Sequence, residues 1–260
     1  MNTDVNNKEE TQNNEDTTHF GFRDVAKGDK EKLVGEVFTS VASKYDIMND
    51  MMSAGIHRIW KRHFVGTSGI HKGNKVLDLA GGTGDIAKLM MPLIGESGHV
   101  IIGDINQAML DVGNDRMIDA GFMDRFECIN MNAEALPFED NTFDAITMAF
   151  GLRNVTDKQQ ALNEMERVLK PGGKALVLEF SQVKNEMMSK LYDFYSFKIL
   201  PEIGQFIAGD KASYQYLVES IRKHPNQETL KSMFEKAGMA MCDYENLSGG
   251  MVAIHRGYKI

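Results

Sequence analysis

The 260-residue chain has only two cysteines, Cys128 and Cys242, and no Cys-x-x-Cys pair. Two thiols cannot build a disulfide framework, and both are expected as buried, reduced side chains of a cytosolic protein. The sequence lacks any uninterrupted apolar run of the ~18 residues that a membrane helix requires. Its polar, acidic start has neither signal- nor transit-peptide character. Basic charge is in deficit: 29 Lys and Arg face 37 Asp and Glu, for a net charge of -8. That balance disfavours duplex nucleic acid as a partner. Half of the excess is local, because residues 1–31 carry eight acidic and four basic side chains. The seven histidines form no His-x-His or His-Glu-x-x-His pattern, so no metal site is expected. These absences describe a cytoplasmic protein and leave open peripheral contact with the inner membrane.

What is present suits one globular unit. Apolar residues make up 42% and charged residues 25%, ordinary values for a soluble domain. The length allows one sizeable α/β core. Residues 1–18 contain one apolar residue after Met1, Val5, too little burial to offset ordering entropy. A disordered acidic tail is expected over residues 1–30, with HFGFRDV (19–25) able to dock on the body, and a single domain over 31–260. Within it, a helical lid is expected over 31–65, with Leu33, Val37, Phe38, Val41 and Ala42 on one face.

From Lys75 the apolar period changes. KVLDLA (75–80), HVIIGDI (99–105), FECINMN (126–132), FDAITMAF (143–150) and KALVLEF (174–180) read as strands. Helices are expected between them, at GDIAKLMMPLI, at 106–120 ending on Gly121, and at 156–170. The last has a capping box from Thr156 and Gln159, and Pro171-Gly172-Gly173 stops it. Nearly all-apolar strands alternating with helices predict a parallel sheet covered on both faces. Residues 184–222 interrupt the rhythm as a helical insertion. MAMCDYENL (239–247) and MVAIHRGY (251–258) are joined by too few residues for a crossover, so they pair antiparallel. The expected fold is a Rossmann-like, mostly parallel seven-stranded sheet with a C-terminal antiparallel hairpin and a helical cap.

The loop VLDLAGGTGD (76–85) follows the first of these strands. Ligands bind at the carboxyl ends of such strands, and glycines let the backbone approach them closely. The spacing does not match the Gly-x-Gly-x-x-Gly loop of dinucleotide folds. It is similar to the Asp-x-Gly-x-Gly-x-Gly loop of S-adenosylmethionine enzymes, with Ala80 in place of the first glycine. Asp78, Gly82, Thr83 and Gly84 are therefore candidate ligand contacts. Asp104 ends the second strand, where a carboxylate can accept from both ribose hydroxyls. Asn132-Ala133-Glu134 ends the third, where adenine would lie. A single acidic residue or glycine loop has a plain structural use, as a helix cap or a tight turn. Three strand ends in order carry more weight than any one.

Four stretches resemble the ubiquinone/menaquinone biosynthesis C-methyltransferase family: YDIMNDMMSAGIHRIWK (45–61), DLAGGTGD (78–85), FGLRNVTD (150–157) and RVLKPGGKALVLEFS (167–181). The closing GGMVAIHRGYK (249–259) adds to them. The resemblance runs from about Lys32 to the end. It implies a class I, S-adenosylmethionine-dependent enzyme that methylates a ring carbon of a demethylmenaquinol, of a 2-polyprenyl-6-methoxy-1,4-benzoquinol, or of both. It also implies that Thr83, Asp104, Asn132 and Ala133 contact the methyl donor. One departure is Ala149, where related bacterial members often carry a serine.

Methylation at carbon needs an electron-rich ring, best supplied by a deprotonated hydroxyl, and a group that takes the ring proton. Arg153 and Asn154 follow the fourth strand and are candidates to stabilise the phenolate or position a water. The plain alternative for Arg153 is a structural pair with a nearby carboxylate. Asp46, with Tyr45 and Asn49 in the lid, is a candidate proton acceptor. His57 and Trp60 fit better as a satisfied histidine and a core aromatic. The apolar stretch 191–209 suits the wall of a channel for a prenyl tail. Three rival readings stay open: a small-molecule O- or N-methyltransferase, a non-catalytic S-adenosylmethionine-binding scaffold, and an NAD-binding protein. A homodimer or a biosynthetic complex is equally open.

Overall fold

A computed structural model describes residues 17–41, 49–50, 53, 55–183 and 211–260. Tyr45, Asp46 and most of the 184–222 insertion lie outside the described residues. Seven strands form one sheet in the order β5-β4-β3-β6-β7-β9-β8. Strands β3 (Lys75–Leu79), β4 (His99–Asp104), β5 (Phe126–Asn130), β6 (Phe143–Ala149) and β7 (Leu169–Phe180) are mutually parallel. Strand β9 (Val252–Tyr258) runs antiparallel between β7 and β8 (Ala240–Leu247). This is the expected fold class.

Alternation along each strand builds two cores. Val76, Val100, Ile102, Leu176 and Ile254 point to one face, covered by α2 (His57–Gly66), α3 (Asp85–Ile94) and α6 (Lys211–Lys223). Leu77, Ile101, Ile146 and Val177 point to the other, covered by α5 (Lys158–Val168) and α7 (Gln227–Lys236). Trp60 is a core aromatic: it is buried, packs edge-on to Phe180 at 6.3 Å, and its indole N–H donates to Ser248 Oγ at 2.9 Å. His57 is buried beside it, and its Nε2 meets Asp50 Oδ1 at 2.8 Å.

Three boundaries differ from the sequence-based expectation. A hairpin of β1 (Thr17–Phe20) and β2 (Arg23–Ala26) runs into α1 (Lys27–Val41), so the expected tail over 1–30 is too long at its C-terminal end. Phe20 explains the order: it is buried and stacks on Tyr216 with centroids 4.1 Å apart. The cap of α5 is Asp157, which accepts from the Gln160 amide at 2.9 Å, not Thr156. The Thr156 amide is taken instead by Glu134, as described below. Finally, α5 stops at Val168 and the strand begins at once. Leu169 is fully buried opposite Phe143, and Pro171-Gly172-Gly173 forms an irregularity before pairing resumes at Lys174. Proline holds Lys170 extended, which favours strand over helix there.

Between β4 and β5, α4 (Gln107–Asp119) ends at Gly121 as expected. The inward face of α1 is centred on Lys30 and Val34, both buried, with Leu33, Val37 and Phe38 half-buried beside them. Ala42 lies outside the described residues.

Candidate functional site

The carboxyl ends of β3, β4, β5 and β6 open into one cleft, with about 1120 Å³ of empty space that reaches solvent. At its floor β3 turns through Ala80-Gly81-Gly82-Thr83-Gly84 into α3. Gly84 caps that helix at φ +79°, a conformation that a side chain disfavours. Ala80 takes φ +51° despite its methyl group. It fits because Gly151 faces it: a Cβ on Gly151 would lie 2.4 Å from the Cβ of Ala80. On the outer side, Gly113 of α4 packs against the loop, and a Cβ there would come within 2.6 Å of the Gly82 carbonyl oxygen.

The polar groups of this floor are short of partners. Thr83 Oγ1 is buried and makes no hydrogen bond. Asp78 is fully buried; Oδ1 accepts from Thr147 Oγ1 at 2.7 Å, while Oδ2 has no partner. Burial pushes the Asp78 carboxyl up to about 7, partly offset by the Thr147 hydroxyl. Asp104 closes β4. It accepts from the Gly82 amide at 3.0 Å and from the Asn106 amide at 2.9 Å, one to each oxygen. Burial lifts it to about 6, against the pull of those amides. Each oxygen keeps a second lone pair for a ligand hydroxyl. An unpaired donor at Thr83, an unpaired acceptor at Asp78 and a half-used carboxylate at Asp104 form a cradle with the chemistry a polar nucleoside needs.

The side walls follow from the next strand ends. Asn132 Oδ1 accepts from the Glu134 amide at 2.8 Å, and Ala133 lines the cleft beside it. Glu134 Oε1 accepts from the amides of Thr156 at 3.0 Å and Asp157 at 3.1 Å, joining this wall to the segment after β6. Ala149 and Asn154 line the cleft on that side. Asn154 Oδ1 accepts from the Tyr216 hydroxyl at 3.0 Å. Thus Asp78, Gly82, Thr83, Asp104, Asn132, Ala133 and Asn154 share one cavity wall, and Gly84 caps the helix at its floor.

Arg153 is placed differently from the expected phenolate contact. Its side chain is 4% exposed, it does not line the cleft, and Nη1 pairs with Glu179 Oε1 at 2.9 Å. The same Nη1 donates to the Phe150 carbonyl, and the Glu179 carboxylate also accepts from the Arg153 amide at 3.2 Å. The ion pair is thus buried behind the 150–154 turn, the structural use the sequence allowed for. Asp46 lies outside the described residues.

Sequence reasoning missed two side chains around the cleft, and a third contribution, from α1, falls within the helical lid expected over 31–65. Lys61 of α2 is buried and donates to Asp85 Oδ2 at 2.6 Å, bracing the start of α3. Asn106 caps α4 through Oδ1 on the Met109 amide and reaches α1 through Nδ2, to the Gly35 carbonyl at 3.0 Å and Thr39 Oγ1 at 2.9 Å. Helix α1 itself supplies Glu31, Val34, Gly35 and Phe38 to the cleft. An Asn opening a predicted helix was a visible signal for the cap, but its second bond spans 71 residues and has no local signature.

Comparison with solved structures places the fold. A SAM-dependent methyltransferase from Aquifex aeolicus superposes with a TM-score of 0.60 at 18% identity, covering 85% of this chain and 98% of that one. The 4+2 cyclase SpnF superposes at 0.58 with 16% identity, covering 87% of this chain and 94% of that one. At such identities the likeness concerns fold alone. Sequence relatives are much nearer. The Xanthomonas campestris pv. campestris protein named ubiquinone/menaquinone biosynthesis C-methyltransferase UbiE is 62% identical over 244 residues, which are 94% of this chain and 96% of that protein. The protein of the same name from Pseudoalteromonas translucida is 58% identical over 243 residues, 94% of this chain and 97% of its own length. The signature of the ubiE/COQ5 methyltransferase family matches residues 25–259. With that match and those identities over almost the whole length, the chain belongs to the ubiE/COQ5 methyltransferase family.

Proposed function

We propose that this protein transfers the methyl group of S-adenosylmethionine to a ring carbon of a demethylated quinol, giving menaquinol, ubiquinol precursors, or both. The observation that carries the reading is the cradle at three consecutive strand ends, with the orphaned Thr83 hydroxyl, the orphaned Asp78 oxygen and the half-used Asp104 carboxylate. S-adenosylmethionine supplies an electrophilic methyl on a sulfonium. The protein's part is to bind and orient. Asp104 takes the ribose hydroxyls, and Asp78 and Thr83 take the amino-acid end. Asn132 and Ala133 flank the adenine. None of these roles needs a phosphate-binding cation, because the donor carries no phosphate.

The quinol side falls to the wall after β6. Tyr216 donates into Asn154 Oδ1, which leaves the amide Nδ2 hydrogens to donate to a substrate oxygen. That bond stabilises the negative charge of the oxygen-deprotonated quinol, the form whose ring carbon attacks the methyl group. Arg153 acts as a positioning residue: through Glu179 and the Phe150 carbonyl it fixes the turn that carries Asn154. Asp46 remains our candidate to take the ring proton. The 191–209 stretch remains our candidate wall for the prenyl tail, with peripheral contact to a membrane as its companion.

The test is methyl transfer from labelled donor to a short-chain demethylmenaquinol kept reduced, beside a catechol and an amine, with products resolved by mass spectrometry. A new carbon-bound methyl on the quinol alone is the expected result. Methylation of the catechol oxygen or the amine in preference to the quinol would overturn the assignment. Transfer that survives Asn154→Ala undiminished would remove Asn154 from it.

A further inference from the structure

Behind the Asn154–Thr156 wall sit two buried lysines with no carboxylate at ion-pair distance among the described residues. Lys30 of α1 is 1% exposed and Lys158 of α5 is 8% exposed. Both ammonium groups donate to the same atom, the Val155 carbonyl oxygen, at 3.2 and 3.0 Å. Neither makes an ion pair among the described residues. Buried charges are ordinarily paired, because desolvation of a lone ion is costly. One carbonyl cannot neutralise two ammonium groups.

Among the described residues, carboxylates act on the two lysines only from beyond ion-pair distance: Glu134 on both, and Glu179 and Asp157 on Lys158. Arg153 is matched one for one by Glu179. Glu134 spends Oε1 on two backbone amides. Asp157 caps α5. His224 is buried with both ring nitrogens unpartnered, and burial together with Lys158 and Arg153 keeps it neutral. His19 on β1 is also neutral, held down to about 4 by burial and by Lys30, Lys158 and Lys223. Tyr216 is raised by burial and keeps its proton. Burial, with Lys158 beside it, depresses Lys30 to about 7, and burial brings Lys158 to about 8. The cluster therefore sets two ammonium groups on one carbonyl of the cleft wall, while the carboxylates that act on them, Glu134, Glu179 and Asp157, stay beyond ion-pair distance.

The cluster backs directly on the cleft. Val155, whose carbonyl holds both ammonium groups, lines it, as do Asn154 and Thr156 on either side. Val34, one turn of α1 beyond Lys30, lines it too. We propose that Lys30 and Lys158 are positioning residues that hold a positive basin behind this wall and stabilise the anionic, oxygen-deprotonated form of the quinol. This rests on the quinol reading above. The step it assists is ionisation alone: the O–H bond breaks, the electron pair stays on oxygen, and the proton leaves to solvent. By linkage, the bound anion in turn raises the proton affinity of both lysines.

The experiment uses the full chain and four variants, Lys30→Met, Lys158→Met, Lys30→Arg and Lys158→Arg. Two quantities are followed: the acidic limb of kcat against pH with saturating demethylmenaquinol, and the visible titration of nitrohydroquinone bound to the S-adenosylhomocysteine complex. Each Met variant should move both midpoints upward by roughly one pH unit, the scale of one charge near a partly buried site. Activity should recover at alkaline pH. The Arg variants should stay close to wild type. Met variants that bind S-adenosylhomocysteine normally but leave both midpoints in place would overturn the proposal. Should a Met variant fail to fold, the wild-type protein decides: bound nitrohydroquinone must ionise below its free midpoint, and a midpoint at or above it overturns the proposal. Wild-type protein that methylates no quinol sinks the quinol reading and this inference together; transfer with unshifted limbs sinks this inference alone.

Discussion

Truncating Asp104 to alanine should weaken the binding of S-adenosylhomocysteine by about two orders of magnitude. Asp104 stands at the end of β4, and in the ligand-free protein each of its oxygens already holds one backbone amide, Gly82 at 3.0 Å and Asn106 at 2.9 Å. Those amides aim the carboxylate into the cleft and leave one lone pair on each oxygen. Two hydrogen bonds from ribose hydroxyls to a charged acceptor contribute at least ~1.5 kcal/mol each. Their loss is about 3 kcal/mol, or roughly 150-fold in Kd. Asp104→Asn keeps the shape and one acceptor oxygen, so it should lose only about half of that free energy, near tenfold. Calorimetry with S-adenosylhomocysteine at pH 7.5 measures both. Thermal unfolding of the ligand-free variants serves as the control, because alanine also strands the Gly82 amide and loosens the loop. If both variants bind within threefold of wild type while unfolding at the same temperature, Asp104 does not hold the ribose and the cradle has been misassigned.

Three further outcomes follow from the same geometry. Burial raises Asp104 to about 6 and Asp78 to about 7 in the ligand-free fold. A carboxyl raised above its unfolded value costs stability above its folded pKa, and that cost vanishes as pH falls toward about 4. The ionised forms are the ones that accept from the ligand, so the rise in Tm given by S-adenosylhomocysteine should shrink between pH 8 and pH 5; a ligand effect that grows on acidification contradicts the assignment. Arg153→Met leaves Glu179 buried and unpaired, at a cost of about 3–5 kcal/mol in urea unfolding. The double variant with Glu179→Met should recover much of that, whereas strictly additive losses would mean the pair is not coupled. Gly151→Ala places a methyl group 2.4 Å from Ala80 and should cost about 1–3 kcal/mol along with donor affinity, both restored by adding Ala80→Gly; failure of that rescue would point to another cause.

The sheet was legible because its signals are local. Five apolar runs with turn residues and helical stretches between them mark the strands and their parallel direction, and the loop after β3 announces itself by glycine density. Asp104 was legible for the same reason, as an acidic residue closing an apolar run. What escaped depends on distant partners. Lys30 sits in a stretch of charged residues and looks solvent-exposed, yet its ammonium ends on the carbonyl of residue 155. Arg153 and Glu179 are 26 positions apart, and nothing near either one shows that they neutralise each other. The start of β7 was misjudged because Pro171-Gly172-Gly173 reads as a stop, while the burial of Leu169 against β6 decides the boundary from outside the segment. The hairpin ahead of α1 was hidden in an acidic context in which Phe20 finds its partner nearly 200 positions later, on Tyr216.

Asn106 ties two parts of the molecule together: one end of its amide starts α4, and the other holds α1 by two hydrogen bonds. Because α1 forms one side of the cavity in which the donor is proposed to sit, that latch fixes one cavity wall against the strand end that carries Asp104. Truncating this one side chain would therefore loosen a wall of the cavity and the start of the helix beneath it at once.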